Sequence, residues 1–418
     1  MGTIHVIGGG LSGISSAVRA ASNGRKVVLY EATEHAGGRC RSFFDSTLGC
    51  VIDNGNHLLL SSNTNTYAFL DLVNARDRVR ELQPARFNFI EPKNNLRWSI
   101  KPFGGWIPFW IFFNNRRVLG TKYFDYIEIF KLRNANANDC VADCVDTNNV
   151  LFDRLWQPIC RAVLNTDAYN ASAQLLWGFM RLSFFKGEKA CRPVVFNQGL
   201  SDALIEPAIS YLKKFSTEIK FKSRVQKLEC KSEYVCGFHF RDTVVKIEKN
   251  DAVILAIPSG PCSILCPELD PPIQNNSIVN VHYRFDHALL EFEKIPIIGL
   301  VNTKTHWVFQ KKNVLSVTIS DANELLGCKN SDLAKSIWNE LCASLSIQDK
   351  TLPPWRVIKE KNATIAQTPA EVRKRVPTIT SRRNLFVAGD WTQTGFPATI
   401  EGSIASGERA AQLACGVT

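Results

Sequence analysis

The run Gly8-Gly9-Gly10-Leu11-Ser12-Gly13 carries the first chemistry legible in this chain, the capture of a phosphate by backbone. Gly8 permits a tight turn, Gly10 lets the main chain approach a pyrophosphate, and Gly13 lets a helix pack closely on a strand. Glu31 stands where an acid can accept the ribose hydroxyls of an adenosine. The elements that must hold these groups are written around them. Thr3 to Ile7 form a short apolar run, and Leu11, Ile14, Ala17, Val18 and Ala21 recur at helical spacing. Lys26 to Tyr30 form a second apolar strand that ends on Glu31. Strand, glycine turn, helix, strand and terminal acid are the order of a dinucleotide-binding βαβ unit, whose helix start offers free N–H groups and a positive dipole end.

Gly37-Gly38-Arg39 follows soon after. This second glycine pair brings backbone to the same pyrophosphate from the other side, with Arg39 as a charge partner. A nicotinamide dehydrogenase has no need of it, so FAD is the expected cofactor. At the far end, Asn384 to Ala388 read as a buried strand running into Gly389-Asp390-Trp391, and Gly395 to Ser403 open a helix reaching about Leu413. That helix start could face the pyrimidine end of a flavin. Asp390 could bind the ribityl chain or a phosphate-bridging water, or simply cap a loop.

Composition narrows the class. With 418 residues, 45% of them hydrophobic, the chain can fill two or three domain cores. Its 13 cysteines include no CxxC pair. Cys140/Cys144 and Cys262/Cys266 lack a nearby histidine set, so no metal is expected and a reducing cytosol is. No charged-then-apolar leader precedes Thr3, and no apolar run approaches a membrane span. The net charge of +11 needs an acidic partner. No basic cluster is interleaved with aromatics in a nucleic-acid module, which leaves an anionic membrane surface. Trp98, Phe103, Trp106, Ile107, Phe109, Trp110, Ile111, Phe112 and Phe113, followed by Arg116, Arg117 and Lys122, suit a headgroup boundary. They equally suit the wall of a substrate cavity or a core.

Cofactor signals at both termini, with other segments between them, imply two interleaved domains. The expected cofactor domain comprises residues 1–60, 194–260 and 380–418. Residues 61–193 and 261–379 form the substrate domain, with a helical, aromatic-rich part at about 98–185 that could face a membrane. Thr66 to about Arg192 read as mostly helical. Strands are expected at Lys220 to Cys230, Tyr234 to Val245, Ala252 to Ile257, Ile278 to Phe285 and Val314 to Ile319, and a helix near Ser331 to Ser344.

With Gly8 to Gly13, Glu31, Gly37-Gly38-Arg39 and Gly389-Asp390 in place, the whole chain resembles the FAD-dependent amine oxidase and phytoene desaturase superfamily. Asp53-Asn54-Gly55-Asn56-His57, Leu164-Asn165-Thr166, Ala388 to Thr392 and Pro397 to Gly402 narrow the resemblance to the squalene-associated branch, the hydroxysqualene dehydroxylases. That branch usually has glutamine where Asn56 stands, and Asn134 to Asn138 match poorly. The resemblance implies an α/β (α+β) fold, with a Rossmann-like FAD domain of the glutathione-reductase/amine-oxidase type interleaved with a mixed sheet-plus-helix substrate domain. It implies cofactor contacts from Gly8, Gly10, Leu11, Ser12, Gly13, Glu31, Ala32, Gly38, Arg39, Asn54, Gly55, Val225, Gly389, Asp390, Ala398, Thr399 and Ile400.

The implied reaction, on a C30 isoprenoid, removes the allylic hydroxyl of hydroxysqualene, with FADH2 as hydride source and an external electron donor, in the cytoplasm at the inner membrane face. Hydroxide leaves poorly, so a proton must reach the oxygen as the C–O bond stretches. His57 is the first candidate donor, in a loop that the superfamily places over the flavin; Glu401 and Asp53 follow. Asn165, Thr166 and Trp391 are candidate substrate contacts, although Asn165 and Thr166 could equally cap a helix. Two alternatives stay open: a carotenoid-type desaturase or amine oxidase running the flavin oxidatively, and a non-catalytic isoprenoid carrier like the Rab GDP-dissociation inhibitors.

Overall fold

In the computed structural model, residues 2–105, 108–286 and 289–416 are described; Trp106 and Ile107 of the aromatic run lie outside them. Thr3–Ile7 is walled in because it lies centrally in a five-stranded parallel sheet. The order is Glu218–Lys220, Lys26–Tyr30, Thr3–Ile7, Ala252–Leu255, Leu385–Val387. A strand covered on both faces needs a continuous apolar run, and Val27, Leu29, Ala252, Val253, Ile254 and Leu255 supply it. Helices Leu11–Ser22 and Ile400–Cys415 cover one face and touch through small residues. A Cβ on Gly407 would come within 2.0 Å of Ser15 Oγ. Ser16 Oγ donates to the Gly407 carbonyl at 3.0 Å. On the other face lies a small antiparallel sheet of Lys227–Lys231, Tyr234–His239 and Val244–Lys246.

The second large unit is a seven-stranded mixed sheet. Its order is Trp355–Ile365, Asn275–Arg284, Val314–Ser320, Trp307–Lys311, Ile297–Leu300, Phe87–Glu91, Leu96–Ile100. The period of two divides its faces. Val279, Val281, Tyr283, Leu315, Val317 and Ile319 bury against helix Asn330–Leu345, through Leu333, Ile337, Trp338 and Leu341. The opposite face carries Asn280 opposite Thr318 and His282 opposite Ser316. Along the same row Trp307 pairs with Thr318, Gly299 with Trp307, Phe89 with Gly299 and Trp98 with Phe89. This face is thus polar at one end and aromatic at the other. Gly299 makes that possible, since a Cβ there would lie 2.6 Å from the Phe89 ring.

Residues 66–192 differ in part from the mostly helical expectation. Helices Gln157–Leu164 and Ala173–Leu182 are present, but Phe87–Glu91 and Leu96–Ile100 form a hairpin at the sheet edge. The alternation of Phe87, Phe89, Trp98 and Ile100 is the strand signal, masked in the sequence by the aromatic richness around it. Among the described residues no helix is long and apolar enough to cross a membrane.

Candidate active site

The glycine loop sits at the carboxyl end of the parallel sheet. Gly8 adopts φ +110°, and a Cβ there would collide with the Ala256 carbonyl at 2.2 Å. A Cβ on Gly13 would lie 1.9 Å from the Gly8 carbonyl, so helix and strand meet backbone to backbone. Gly10 is different, for nothing lies within 4 Å of where its Cβ would point. The helix that follows has no side-chain cap and no acid in its first turn, which leaves its N–H groups to an external anion. Gly37 N–H donates to the Gly9 carbonyl at 2.8 Å, so the second glycine pair lies directly against the first. Glu31 is buried and accepts from Gly9 N–H at 2.7 Å and from Thr33 N–H at 2.8 Å. Ala32 is half-buried beside it, and Val225 is buried in the core that also holds Tyr30.

Arg39 closes the gap between the cofactor segments of the two termini. Its guanidinium donates to Asp390 Oδ1 at 2.8 Å and to the Ala363 carbonyl. Arg39 and His57 are hemmed in by protein yet keep accessible surface, which marks an internal cleft. Among the buried guanidinium Nε atoms without an acceptor are those of Arg41 and Arg375. Open space over Gly10, an uncapped helix start and unfilled cationic donors suit the pyrophosphate of FAD.

His57 lies where the loop after strand Cys50–Asp53 crosses the polar end of the large sheet. Asn56 Nδ2 donates to Thr318 Oγ1 at 3.0 Å, Thr318 Oγ1 to Asn280 Oδ1 at 2.8 Å, and Asn280 Nδ2 to the Asn54 carbonyl at 3.4 Å. This ring of amides and a hydroxyl fixes the loop on the sheet. A Cβ on Gly55 would sit 3.3 Å from Asn280 Nδ2 and 3.8 Å from His57 Nε2, so the two side chains converge closely on this loop. Burial pulls the His57 pKa down to about 4; Asp53 opposes the shift and Arg39 adds to it.

The other candidates occupy different positions. Glu401 is buried, and both its oxygens are taken: Oε1 accepts from Asn65 N and Nδ2 at 3.0 and 2.7 Å, Oε2 from Thr66 N and Oγ1 at 2.9 and 2.7 Å. It caps helix Thr64–Leu72 from across the fold. Asp53 accepts from Ser42 Oγ at 2.6 Å and Leu200 N at 2.9 Å, and Lys311 Nζ lies 3.6 Å away. Asn165, at φ +46°, ends helix Gln157–Leu164, donates to Asn276 O and Thr364 Oγ1, and accepts from Asp321 N. Thr166 Oγ1 donates to Leu164 O and accepts from Gln367 N at 3.0 Å. Both residues therefore act as caps, the alternative the sequence left open. Trp391 is 2% exposed, and its N–H is held by the Ile257 carbonyl at 2.9 Å. Thr399 caps helix Ile400–Cys415, Ala398 N–H donates to Gln367 Oε1 at 2.8 Å, and Ile400 is buried.

The sequence reading missed Asn280, Thr318, His282, Gln367 and Arg375. Polar residues at alternating positions within Ile278–Ser320 strand runs otherwise full of valine and isoleucine were the available signal. Gln367 receives Arg375 Nη2 at 3.0 Å and donates to Leu164 O at 2.7 Å, tying the helical region to the C-terminal motif. Buried His282 donates or accepts at Ser316 Oγ, 2.7 Å from Nδ1, and burial lowers its pKa to about 4 against the pull of Asp53 and Asp45. An unfolded histidine titrates near 6.5, so between these values the unfolded chain binds more protons. The stability this neutral ring contributes is complete above pH 6.5 and falls by about 3 kcal/mol as pH drops to 4. Urea midpoints at pH 7 and pH 5 should converge in His282→Gln relative to the parent chain.

Glycine turns that cradle an anion, an acid at the second strand and a cleft against a separate mixed sheet define an FAD-dependent oxidoreductase of α/β fold. The family model of flavin-containing amine oxidoreductases matches residues 11–415. Solved structures show the same fold: an oxidoreductase from Methanosarcina mazei at TM-score 0.73 and 13% identity, covering 98% of this chain and 100% of that one, and cyclohexylamine oxidase from Brevibacterium oxydans at 0.70 and 12%, covering 99% and 98%. Proteins named hydroxysqualene dehydroxylase are much more similar. Those of Sinorhizobium fredii and Rhodopseudomonas palustris are 38% and 39% identical, each over at least 98% of both chains. A 15-cis-phytoene desaturase of an Oncidium hybrid is 24% identical over 98% of this chain and 77% of its own. The chain belongs to the flavin-containing amine oxidoreductase family, and within it to the hydroxysqualene dehydroxylases.

Proposed function

We propose that this chain removes the allylic hydroxyl of hydroxysqualene as water and leaves squalene. The C–O bond breaks as the oxygen takes up a proton, and a C–H bond forms at the same carbon. Reduced FAD, when bound, supplies the hydride; an external donor returns the two electrons. The observation that carries this reading is the position of His57, held over the polar end of an otherwise aromatic sheet face by the Asn56–Thr318–Asn280 ring.

Each part of the chain has a task in this reading. The aromatic end of the face, with half-buried Trp307 backed by the buried Phe89 and Trp98, supports the isoprenoid chain and keeps out water that would capture an allylic cation. His57 Nε2 meets the departing oxygen and delivers the proton. Asn280 and Thr318 orient the hydroxyl. Glu401 and Asp53 hold elements in place and move no proton. Gly8, Gly10, Leu11, Ser12, Gly13, Glu31, Ala32, Gly38, Arg39, Asn54, Gly55, Val225, Gly389, Asp390 and the Ala398-Thr399-Ile400 helix start are the proposed cofactor contacts. The same reading sets the protein at the inner membrane face, with no nucleic acid as partner.

Gly10→Val isolates the cofactor part of the proposal. Gly10 has φ −71°, allowed to every residue, and an added Cβ has no protein atom within 4 Å. The fold and melting temperature should be kept while flavin retained per protein falls about tenfold or more, because the side chain occupies the phosphate approach. The reaction itself is tested by anaerobic incubation of dithionite-reduced protein with hydroxysqualene. Squalene formed in step with flavin reoxidation supports the reading. Bound flavin without squalene favours the oxidative desaturase, and a folded protein that takes up no flavin favours the carrier.

A further inference from the structure

Residues Tyr123–Asn134 form an unusually long 3-10 helix. With three residues per turn, side chains at i and i+3 eclipse, so the segment presents three straight rows. Tyr126, Ile129 and Leu132 point inward and are 5% exposed or less. Asp125, Glu128, Lys131 and Asn134 make a polar row. Phe124, Ile127 and Phe130 are 60%, 54% and 48% exposed, and Arg133 ends their row. Phe109, Phe112 and Phe113, each at least 50% exposed, lie in the segment before it, and the Phe112 and Tyr123 rings meet at 5.1 Å. Six large apolar side chains in one stretch is far beyond the scattered exposure of ordinary surfaces.

The patch has two further properties. Arg116, Arg117, Lys122 and Arg133 flank it in the chain, and among the described residues none forms an ion pair with a carboxylate; Arg116 bonds the Lys101 carbonyl and lies 4.7 Å over the Phe103 ring, and Arg117 bonds the Ile111 carbonyl. Directly beneath lies an apolar cavity lined by Ile100, Trp110, Trp156, Met180, Ile127 and Phe130. Ile127 and Phe130 belong to both, so the exposed row forms the cavity's mouth, while Ile100 carries the cavity floor onto the large sheet.

We propose that the row Phe124-Ile127-Phe130, with Phe109, Phe112 and Phe113, docks this chain on an anionic lipid bilayer and opens the cavity beneath it directly to the membrane interior. The docking half stands on the surface alone; the entry of substrate by this route rests on the isoprenoid reading above. A second copy of the chain does not suit the patch, because pairing would bring the unpaired guanidinium and ammonium groups face to face. A bilayer takes the aromatics below the headgroups and pairs the cations with phosphates.

The test uses holoprotein and vesicles of phosphatidylcholine with or without phosphatidylglycerol. Sedimentation should show binding that rises with the anionic lipid and weakens with salt. Phe112→Ser/Phe124→Ser, which leaves the cavity lining intact, should lower partition about tenfold or more with unchanged flavin content and melting temperature. Lys122→Gln should lower it about fivefold. As an independent readout, Phe124→Trp should shift its emission to the blue on vesicles and be quenched by lipids labelled in the acyl chain. Unchanged partition of the double variant, or a tryptophan untouched by acyl-chain quenchers, overturns the proposal. So does a dimer in solution that the double variant breaks. Loss of the squalene reaction with vesicle binding intact would overturn the substrate reading and leave the docking surface standing.

Discussion

His57→Gln lowers turnover of hydroxysqualene by two to four orders of magnitude, the usual worth of a positioned proton donor, with flavin content unchanged. The parent enzyme also has a distinctive pH profile. Burial holds His57 near a pKa of about 4, so at neutral pH only about one ring in a thousand carries the proton that the proposed donor role requires. Turnover therefore rises about tenfold for each unit that pH falls from 8 toward 6, until acid destabilisation intervenes. The glutamine variant, which cannot carry that proton, has a flat profile. Rapid-mixing measurements of flavin reoxidation at several pH values check both points. A sloped profile that survives in His57→Gln assigns the proton to another group.

The second large effect is on stability. Glu401→Ala removes a buried acceptor that holds two backbone N–H groups and two side chains of a partly buried helix start, and takes away the bond each makes to it. The expected cost is about 3–5 kcal/mol, a large part of the 5–15 kcal/mol that folded proteins commonly hold. Glu401→Gln keeps one oxygen and loses less. Chemical denaturation should rank the parent above Glu401→Gln above Glu401→Ala, and the pH profile of Glu401→Gln should match that of the parent. A profile flattened by this change would give the proton to Glu401 instead.

The nucleotide end of the molecule was legible because its demands are local. Gly8 adopts φ +110°, and a Cβ on Gly13 would strike the Gly8 carbonyl at 1.9 Å, local conditions that glycine alone meets without strain. The catalytic end was legible only as far as His57. Its supports, Asn280 and Thr318, come from separate strands more than two hundred residues further along the chain, and a polar residue in a strand announces neither its neighbour nor its face until register is known. The aromatic run at 98–113 could not be divided in the sequence, since it serves two ends at once. Trp98, Trp110 and Ile111 are buried in the core, while Phe109, Phe112 and Phe113 face outward. Glu401 lay at a helix start near the cofactor motif, where capping and proton transfer ask for the same residue. Only its distant partners, Asn65 and Thr66, separate the two roles.

The clasp between Ser16 and Gly407 joins residues 391 positions apart. A ribosome adding about 5–20 residues per second needs tens of seconds to travel that distance. Throughout that interval the first βαβ unit stands without the helix that covers it, its apolar face open to chaperones and to other nascent chains. The first βαβ unit is thus covered only after this distant helix has emerged, and a message cut short before it yields a polypeptide whose glycine loop lies on an unfinished core.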